Sequence, residues 1–235
     1  MDIRAVIRDL EEIAPPTGAE EMDAGRIGLI IEGKTEIRRI ACALDATPAV
    51  IHEAVSTGAD MLVVHHTPLW SPVTSVSRAL GTFLKEVLAA DLNVFVMHTN
   101  FDHARGGIND ALADLLGLTS VSAMTLGVCG DCSLDIPGFI SRLGSPLRTW
   151  GPVRVPCRIG VVGGSGFDLE LIKEAASMGA GAYLSAELKH SVARNSPLPL
   201  IESTHYALES PGMRSLAERM GWQFIDDPPV MKTWK

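Results

Sequence analysis

Short apolar runs of four or five residues recur along this chain, separated by stretches with helical spacing. Ile27 to Ile31, Arg39 to Leu44, Asp60 to Val64 and Asn93 to Met97 are each too short for a helix and too uniformly apolar for a half-exposed strand. The first reads as a strand and turn ending at Glu32-Gly33, and the other three predict buried strands. Between them, Asp2 to Ile13 has apolar residues at helical spacing and ends before Pro15-Pro16. Thr47-Pro48 supplies an N-cap and a first-turn proline for a helix that stops at Thr57-Gly58. Arg78 to Ala90 and Ile108 to Leu116 read as two more helices, the second closed by Gly117. Strand, helix, strand in this order predicts parallel pairing.

The pattern then repeats. Ile51-His-Glu-Ala-Val-Ser-Thr-Gly-Ala59 and Ile172-Lys-Glu-Ala-Ala-Ser-Met-Gly-Ala180 agree at six of nine positions, and Arg39-Ile40 matches Arg158-Ile159 before them. Two related α/β lobes with mostly parallel sheets are expected, over residues 1–120 and 121–235, with residues 119–157 as the crossing segment. In the second lobe, Gly181 to Ser185 and Leu198 to Ile201 are strands. Ser210-Pro211 reads as the start of the last helix, which leaves His205 and Glu209 in the loop before it.

Polar residues gather where three buried strands end: His65 and His66, then His98 and Asp102, then His205 and Glu209. In open parallel sheets, ligands bind beyond the carboxyl ends of strands. Neighbouring side chains on a strand face opposite ways, so two adjacent histidines converge only where the chain bends, and Thr67-Pro68 forces such a bend. Histidines and carboxylates together offer enough nitrogen and oxygen ligands for two divalent ions, with zinc, manganese, iron, cobalt and nickel all open. Such a site attracts an anionic substrate.

Composition narrows the partners. The net charge of −8 argues against a general nucleic-acid surface. No apolar run reaches membrane-spanning length, and the charged N-terminal helix lacks the plan of a signal peptide, so a cytoplasmic protein is expected. The four cysteines are then expected as thiols, and Cys129-Gly-Asp-Cys132 as a pair of loop thiols, with a redox or metal role as the alternative.

Taken together, Ala43-Leu-Asp-Ala-Thr-Pro48, Gly58-Ala-Asp-Met-Leu-Val-Val-His-His66, His98-Thr-Asn-Phe-Asp102, Gly106-Gly-Ile-Asn-Asp110, Gly163-Gly-Ser-Gly166, Ser185-Ala-Glu-Leu-Lys-His190 and His205-Tyr-Ala-Leu-Glu209 resemble the Nif-three-like dinuclear metal-centre family, also called GTP cyclohydrolase I type 2. The resemblance implies two α/β lobes with a dinuclear metal site in the cleft between them, and a homohexameric ring. It places the ligands of two divalent ions on His65, His66, Asp102, His205 and Glu209. His98, Glu187 and His190 are the candidates for moving protons, with His98 more simply a partner that orients a ligand. Gly163 to Gly166 offers a turn or a phosphate cradle, and Asn109-Asp110 a helix cap. This chain departs from the family in reading His66-Thr67-Pro68 for the usual His-His-Pro, and in carrying Cys129-Gly-Asp-Cys132 where Gly-Arg-x-Gly is common.

The function implied is metal-assisted hydrolysis of a nucleotide-like or other anionic small molecule, in its specific form the opening of the GTP ring with release of formate. The rivals are a metal-storing, metal-delivering or regulatory ring without turnover, and a ring that binds single-stranded nucleic acid.

Overall fold

The computed structural model describes residues 1–232. Helix α1 (Ile3–Ile13) is capped by the Asp2 carboxylate, which accepts the Arg4 amide, and buries Ile3, Val6 and Leu10 along one side. Strands β1 (Gly28–Ile31) and β2 (Ile40–Ala43) follow, then helix α2 (Pro48–Ser56), whose N-cap is Thr47. Next come β3 (Met61–Val64), α3 (Arg78–Ala89), β4 (Asn93–Val96), the single turn α4 (Thr99–Asp102) and α5 (Ile108–Leu116). The hairpin β5 (Thr119–Ala123) and β6 (Val128–Cys132) leads to α6 (Ile136–Leu143) and β7 (Arg148–Trp150). The chain continues through β8 (Cys157–Val161), α7 (Leu169–Ser177), β9 (Ala182–Ser185), α8 (His190–Asn195), β10 (Leu200–Glu202), α9 (His205–Met220) and β11 (Gln223–Phe224).

Two sheets result, one in each of two compact units. The first has the order β1-β4-β3-β2-β11. Strands β11, β2, β3 and β4 are parallel and β1 is antiparallel at the edge. Its centre is Leu62, Val64, Val94 and Val96, all fully buried together with Val50, Ile51 and Ala54 of α2. Burying one such aliphatic side chain is worth about 1.5–3 kcal/mol. The second sheet has the order β5-β6-β8-β9-β10-β7. Only β8, β9 and β10 are mutually parallel; β5, β6 and β7 join antiparallel. It carries a core on each face, one around Phe139, Ile159 and Leu184, the other around Tyr183, Ile172 and Leu200.

The repeat seen in the sequence is a repeat of structure. β2-α2-β3-α3-β4 and β8-α7-β9-α8-β10 have the same order and the same parallel pairing, and each final strand has an antiparallel edge partner that precedes the repeat, β1 or β7.

Residues 119–157, expected as the crossing segment, supply β5, β6, α6 and β7, which add antiparallel strands to the parallel β8, β9 and β10. The signal was weak because β5 reads Thr-Ser-Val-Ser-Ala and is exposed at every position, so it has no apolar face to display. Cys129 and Cys132 lie on a strand, not in a loop. By packing, the described chain forms two compact units, residues 1–104 with 213–232, and Arg105–Gly212. The chain returns to the first unit because β11 pairs with β2 and the Ile225 amide donates to the Cys42 carbonyl, burying Ile225 in the first core.

Asp60 ties the amino ends of these strands together. Its carboxylate accepts Lys34 Nζ at 2.8 Å and the amides of Arg38 and Arg39 at 2.9 and 3.1 Å. Burial pushes this carboxyl up, but the Lys34 ammonium and the two amides outweigh it and hold it below the ordinary 3.8. A depressed carboxyl contributes stability above its unfolded value that is lost as pH falls through its folded value. Asp60→Asn should therefore lower stability by about 1–2 kcal/mol at pH 7. The gap from wild type, read from urea midpoints, should close as pH falls below 3.8. A gap that stays constant with pH would assign Asp60 no ionic role.

Candidate metal centre

The register of the first sheet builds this site. Ala43, Val64 and Val96 are opposed across β2, β3 and β4, so the three parallel strands end level. The residues two beyond each are Asp45, His66 and His98. The amides of His65 and His66 both donate to the Leu44 carbonyl, which bends the chain as it leaves β3. That bend defeats the alternation that would send the two imidazoles apart. His65, His66 and His98 then stand as a triangle of rings with centroids 4.9, 5.0 and 5.6 Å apart. The Trp70 ring meets His98 edge-on at 5.2 Å.

Each imidazole is anchored through Nδ1. His65 Nδ1 donates to the Met97 carbonyl at 2.8 Å, His66 Nδ1 to Asp45 at 2.7 Å and His98 Nδ1 to Asp23 at 2.7 Å. A carbonyl or carboxylate oxygen only accepts, so it is Nδ1 that carries the proton. Anchoring Nδ1 to an oxygen in this way is how oxygen partners orient metal-binding histidines. The ligand atoms of the three rings lie within 4.8 Å of one another. Asp102, at the end of α4, brings a carboxylate oxygen to 3.6 Å from His65 Nε2. That is longer than a hydrogen bond and short enough for both atoms to share one cation. The donors are nitrogen and oxygen, which suits a borderline divalent ion.

Asp23 shows how firmly the His98 side is held. It is buried, and its second oxygen accepts both the amide and the hydroxyl of Thr99 at 3.0 and 2.5 Å. Burial alone would raise its carboxyl, but Thr99 and His98 outweigh burial and depress it, which keeps it an acceptor for the imidazole.

The second unit carries a smaller set. Helix α9 begins at His205, not at Pro211: the Thr204 hydroxyl accepts the Ala207 amide and so caps the helix. Pro211 lies inside the helix. The expected loop is thus a helical turn, and the i,i+4 spacing brings His205 Nε2 to 2.8 Å from Glu209 Oε2. His205 Nδ1 meets Glu187 Oε1 at 2.6 Å. Glu209 is buried and Glu187 exposed. Gly164 lies against the pair with φ +63°, and a Cβ there would fall on Glu209 Oε1. The glycine loop is spent internally: Asn109 Oδ1 accepts the Gly163 amide at 2.8 Å, and Ser185 Oγ accepts the Gly166 amide at 2.9 Å. It is a tight turn shaped around Glu209, not an open phosphate cradle, and Asn109 holds the turn as well as standing in the first turn of α5.

His65, His66, His98 and Asp102 thus gather in the first unit, and His205, Glu209 and Glu187 in the second. His190 does not join them: it heads α8, is exposed, and no hydrogen bond or ion pair links it to His205, Glu187 or Glu209 among the described residues. Sequence reasoning missed Asp45 and Asp23. Asp45 was within reach, since it directly follows a parallel strand beside the histidine strand. Asp23 sits in a 3-10 turn, Glu21–Asp23, with no periodicity to mark it.

In sequence and in fold the chain is similar to known proteins. The profile of Duf34/NIF3 (NGG1p interacting factor 3) matches residues 1–230. The chain belongs to the Duf34/NIF3 family. It is 30% identical over 252 residues to a Streptomyces coelicolor protein named GTP cyclohydrolase 1 type 2 homolog, covering 92% of this chain and 87% of that one. An Escherichia coli K12 protein of the same name is 33% identical over 208 residues, covering 81% and 82%. Among solved structures, reduced HcgD from Methanocaldococcus jannaschii superposes with a TM-score of 0.81 at 27% identity, covering 95% of this chain and 96% of that one. As a member of Duf34/NIF3 the chain is an α/β protein, with two sheets among the described residues, and its buried and half-buried histidines and acids form groups that could hold a metal. No described helix is long and apolar enough to cross a membrane.

Gly164→Ala tests the second set. The added methyl group and the left-handed backbone together force Glu209 or the turn to move. Divalent-metal affinity measured by calorimetry should fall at least about tenfold, the lower end of what losing a ligand's support costs. Unchanged affinity would show that Glu209 holds no metal.

Proposed function

We propose that this chain is a dinuclear metal-dependent hydrolase of a nucleotide-like anionic small molecule, and that His65, His66, Asp102, His205 and Glu209 hold two divalent ions. The observation that carries the reading is the triangle of imidazoles, each anchored through Nδ1 to an oxygen, with one ligand atom from each ring within 4.8 Å of the others. Preparing three rings in this way costs conformational freedom, and a divalent cation is the partner that all three would share.

When bound, two divalent ions supply Lewis acidity and lower the pKa of coordinated water. The residues of the chain do the rest. Asp102 and Glu209 offset the charge and fix positions. Asp45, Asp23 and the Met97 carbonyl hold the imidazoles in one tautomer. Glu187, hydrogen-bonded to His205, is our candidate to take a proton from that ring. His98 falls to the first set by geometry and serves as a further ligand or as a proton carrier beside it. GTP is the first substrate to test, because curated relatives carry the name GTP cyclohydrolase 1 type 2 homolog. A homohexamer in the cytoplasm is the assembly that goes with this reading.

The rival with a specific observation behind it is a metal-handling protein without turnover, since anchored ligands serve storage as well as catalysis. Nucleic-acid binding is disfavoured by the net charge of −8.

Elemental analysis of metal-replete protein should give two divalent ions per chain; one or fewer would break the dinuclear reading. Formate release from GTP, followed by assays on other nucleotides and phosphoesters, should show turnover that Asp102→Ala and Glu209→Ala abolish. A misplacement of about 1 Å can cost on the order of a hundredfold in rate. Two ions bound with no turnover of any of these would select the metal-handling rival. Chelation should leave the far-UV circular dichroism intact, because each sheet has its own apolar core.

A further inference from the structure

Strand register brings two thiols together in the second sheet. β6 runs antiparallel to β8 and sets Cys132 directly opposite Cys157. Residues so opposed have Cα atoms about 4.5 or 5.5 Å apart, and both values lie within the span of about 4.4–6.8 Å that a disulfide bridges. The two side chains also leave the sheet on the same face, where both pack in the core that contains Phe139, Ile159 and Val161. Cys129, the other cysteine of the C-x-x-C, projects from the opposite face into the core with Tyr183 and Val162. The motif apparent in the sequence is therefore not a pair, and the pair in the structure is separated by 24 intervening residues. Cys132 is buried and Cys157 partly exposed, so a small reagent reaches Cys157 first.

We infer that Cys132 and Cys157 are a cross-strand thiol pair that a low-molecular-weight disulfide oxidises to a protein disulfide. The thiolate of Cys157 attacks one sulfur of the small disulfide, forms a mixed disulfide and expels the first small thiolate. The thiolate of Cys132 then attacks Cys157 Sγ and expels the second. Two protein thiols lose two protons and two electrons, and the small disulfide takes them up as two thiols. Burial pushes both thiols upward, and for Cys157 the neighbouring Cys132 adds to it, so the exchange speeds up at mildly alkaline pH.

The bridge would close residues 132–157, which carry α6 and the edge strand β7, into a covalent loop. It sits at the start of β8, whereas the Gly163 turn that packs on Glu209 follows the far end of that strand. Stability, not metal binding, is what the bridge changes.

The full chain is treated with oxidised glutathione at pH 8 and examined by thiol titration, peptide mapping and thermal melting. Titratable thiols should fall from four to two, with one linked peptide joining Cys132 to Cys157. The melting temperature should rise by roughly 5 °C relative to the reduced chain. Cys129→Ala should still form the bridge, and Cys157→Ala should not. A lasting glutathione adduct on Cys157, a bridge between Cys129 and Cys132, or retention of all four thiols while the urea-unfolded chain oxidises would each overturn the inference. The wild-type peptide map decides the matter even where a variant fails to fold.

Discussion

Everything at the candidate centre depends on three parallel strands ending at the same level. Because Ala43, Val64 and Val96 are in register, the chain emerges three times along one edge of the sheet. The buried apolar residues of β2, β3 and β4 fix that register, since a slip of one residue would turn every side chain to the wrong face. Hydrophobic burial thus positions polar chemistry that it does not touch. The backbone finishes the work: two amides on one carbonyl bend the chain at His65 and His66, and Met97 orients the His65 ring.

The two units show one scaffold put to different uses. Aligned through Met61 and Ala182, the position of His66 is taken by Glu187 and that of Thr99 by His205, while Gly164 stands where Asp45 does. In the first unit a carboxylate at that place orients an imidazole. In the second a glycine there leaves room for Glu209, a buried carboxylate delivered by a helix. One unit spends its strand ends on imidazoles, the other on a helix that begins with one histidine and follows it with an acid one turn later. The tight turn from Gly163 to Gly166 is the complement of that helix, and Asn109 fastens it from α5.

Cysteine placement carries the same lesson about faces. Three residues apart on a strand means opposite sides of a sheet, so the C-x-x-C spacing that pairs thiols in a turn or helix separates them here. Register across two antiparallel strands, invisible to any local motif, makes the closer partnership between Cys132 and Cys157.

The linear chain determined a good deal. Apolar runs of strand length, caps such as Thr47-Pro48 and the repeated Ile51–Ala59 and Ile172–Ala180 segments were enough for an α/β protein with two related halves, because burial and local capping are written in adjacent residues. The histidines and acids at strand ends were legible for the same reason. Tertiary structure alone decided the partners that come from far along the chain. Asp23 reaches His98 across 75 positions, and β11 returns Gln223 and Phe224 to the first sheet. It also decided the start of α9: Ser210-Pro211 is as good a helix start as Thr204 locally, and only the helix formed from His205 brings that ring onto Glu209. Local pattern records what a residue prefers; which distant group satisfies its hydrogen bonds is settled only when the sheets are assembled.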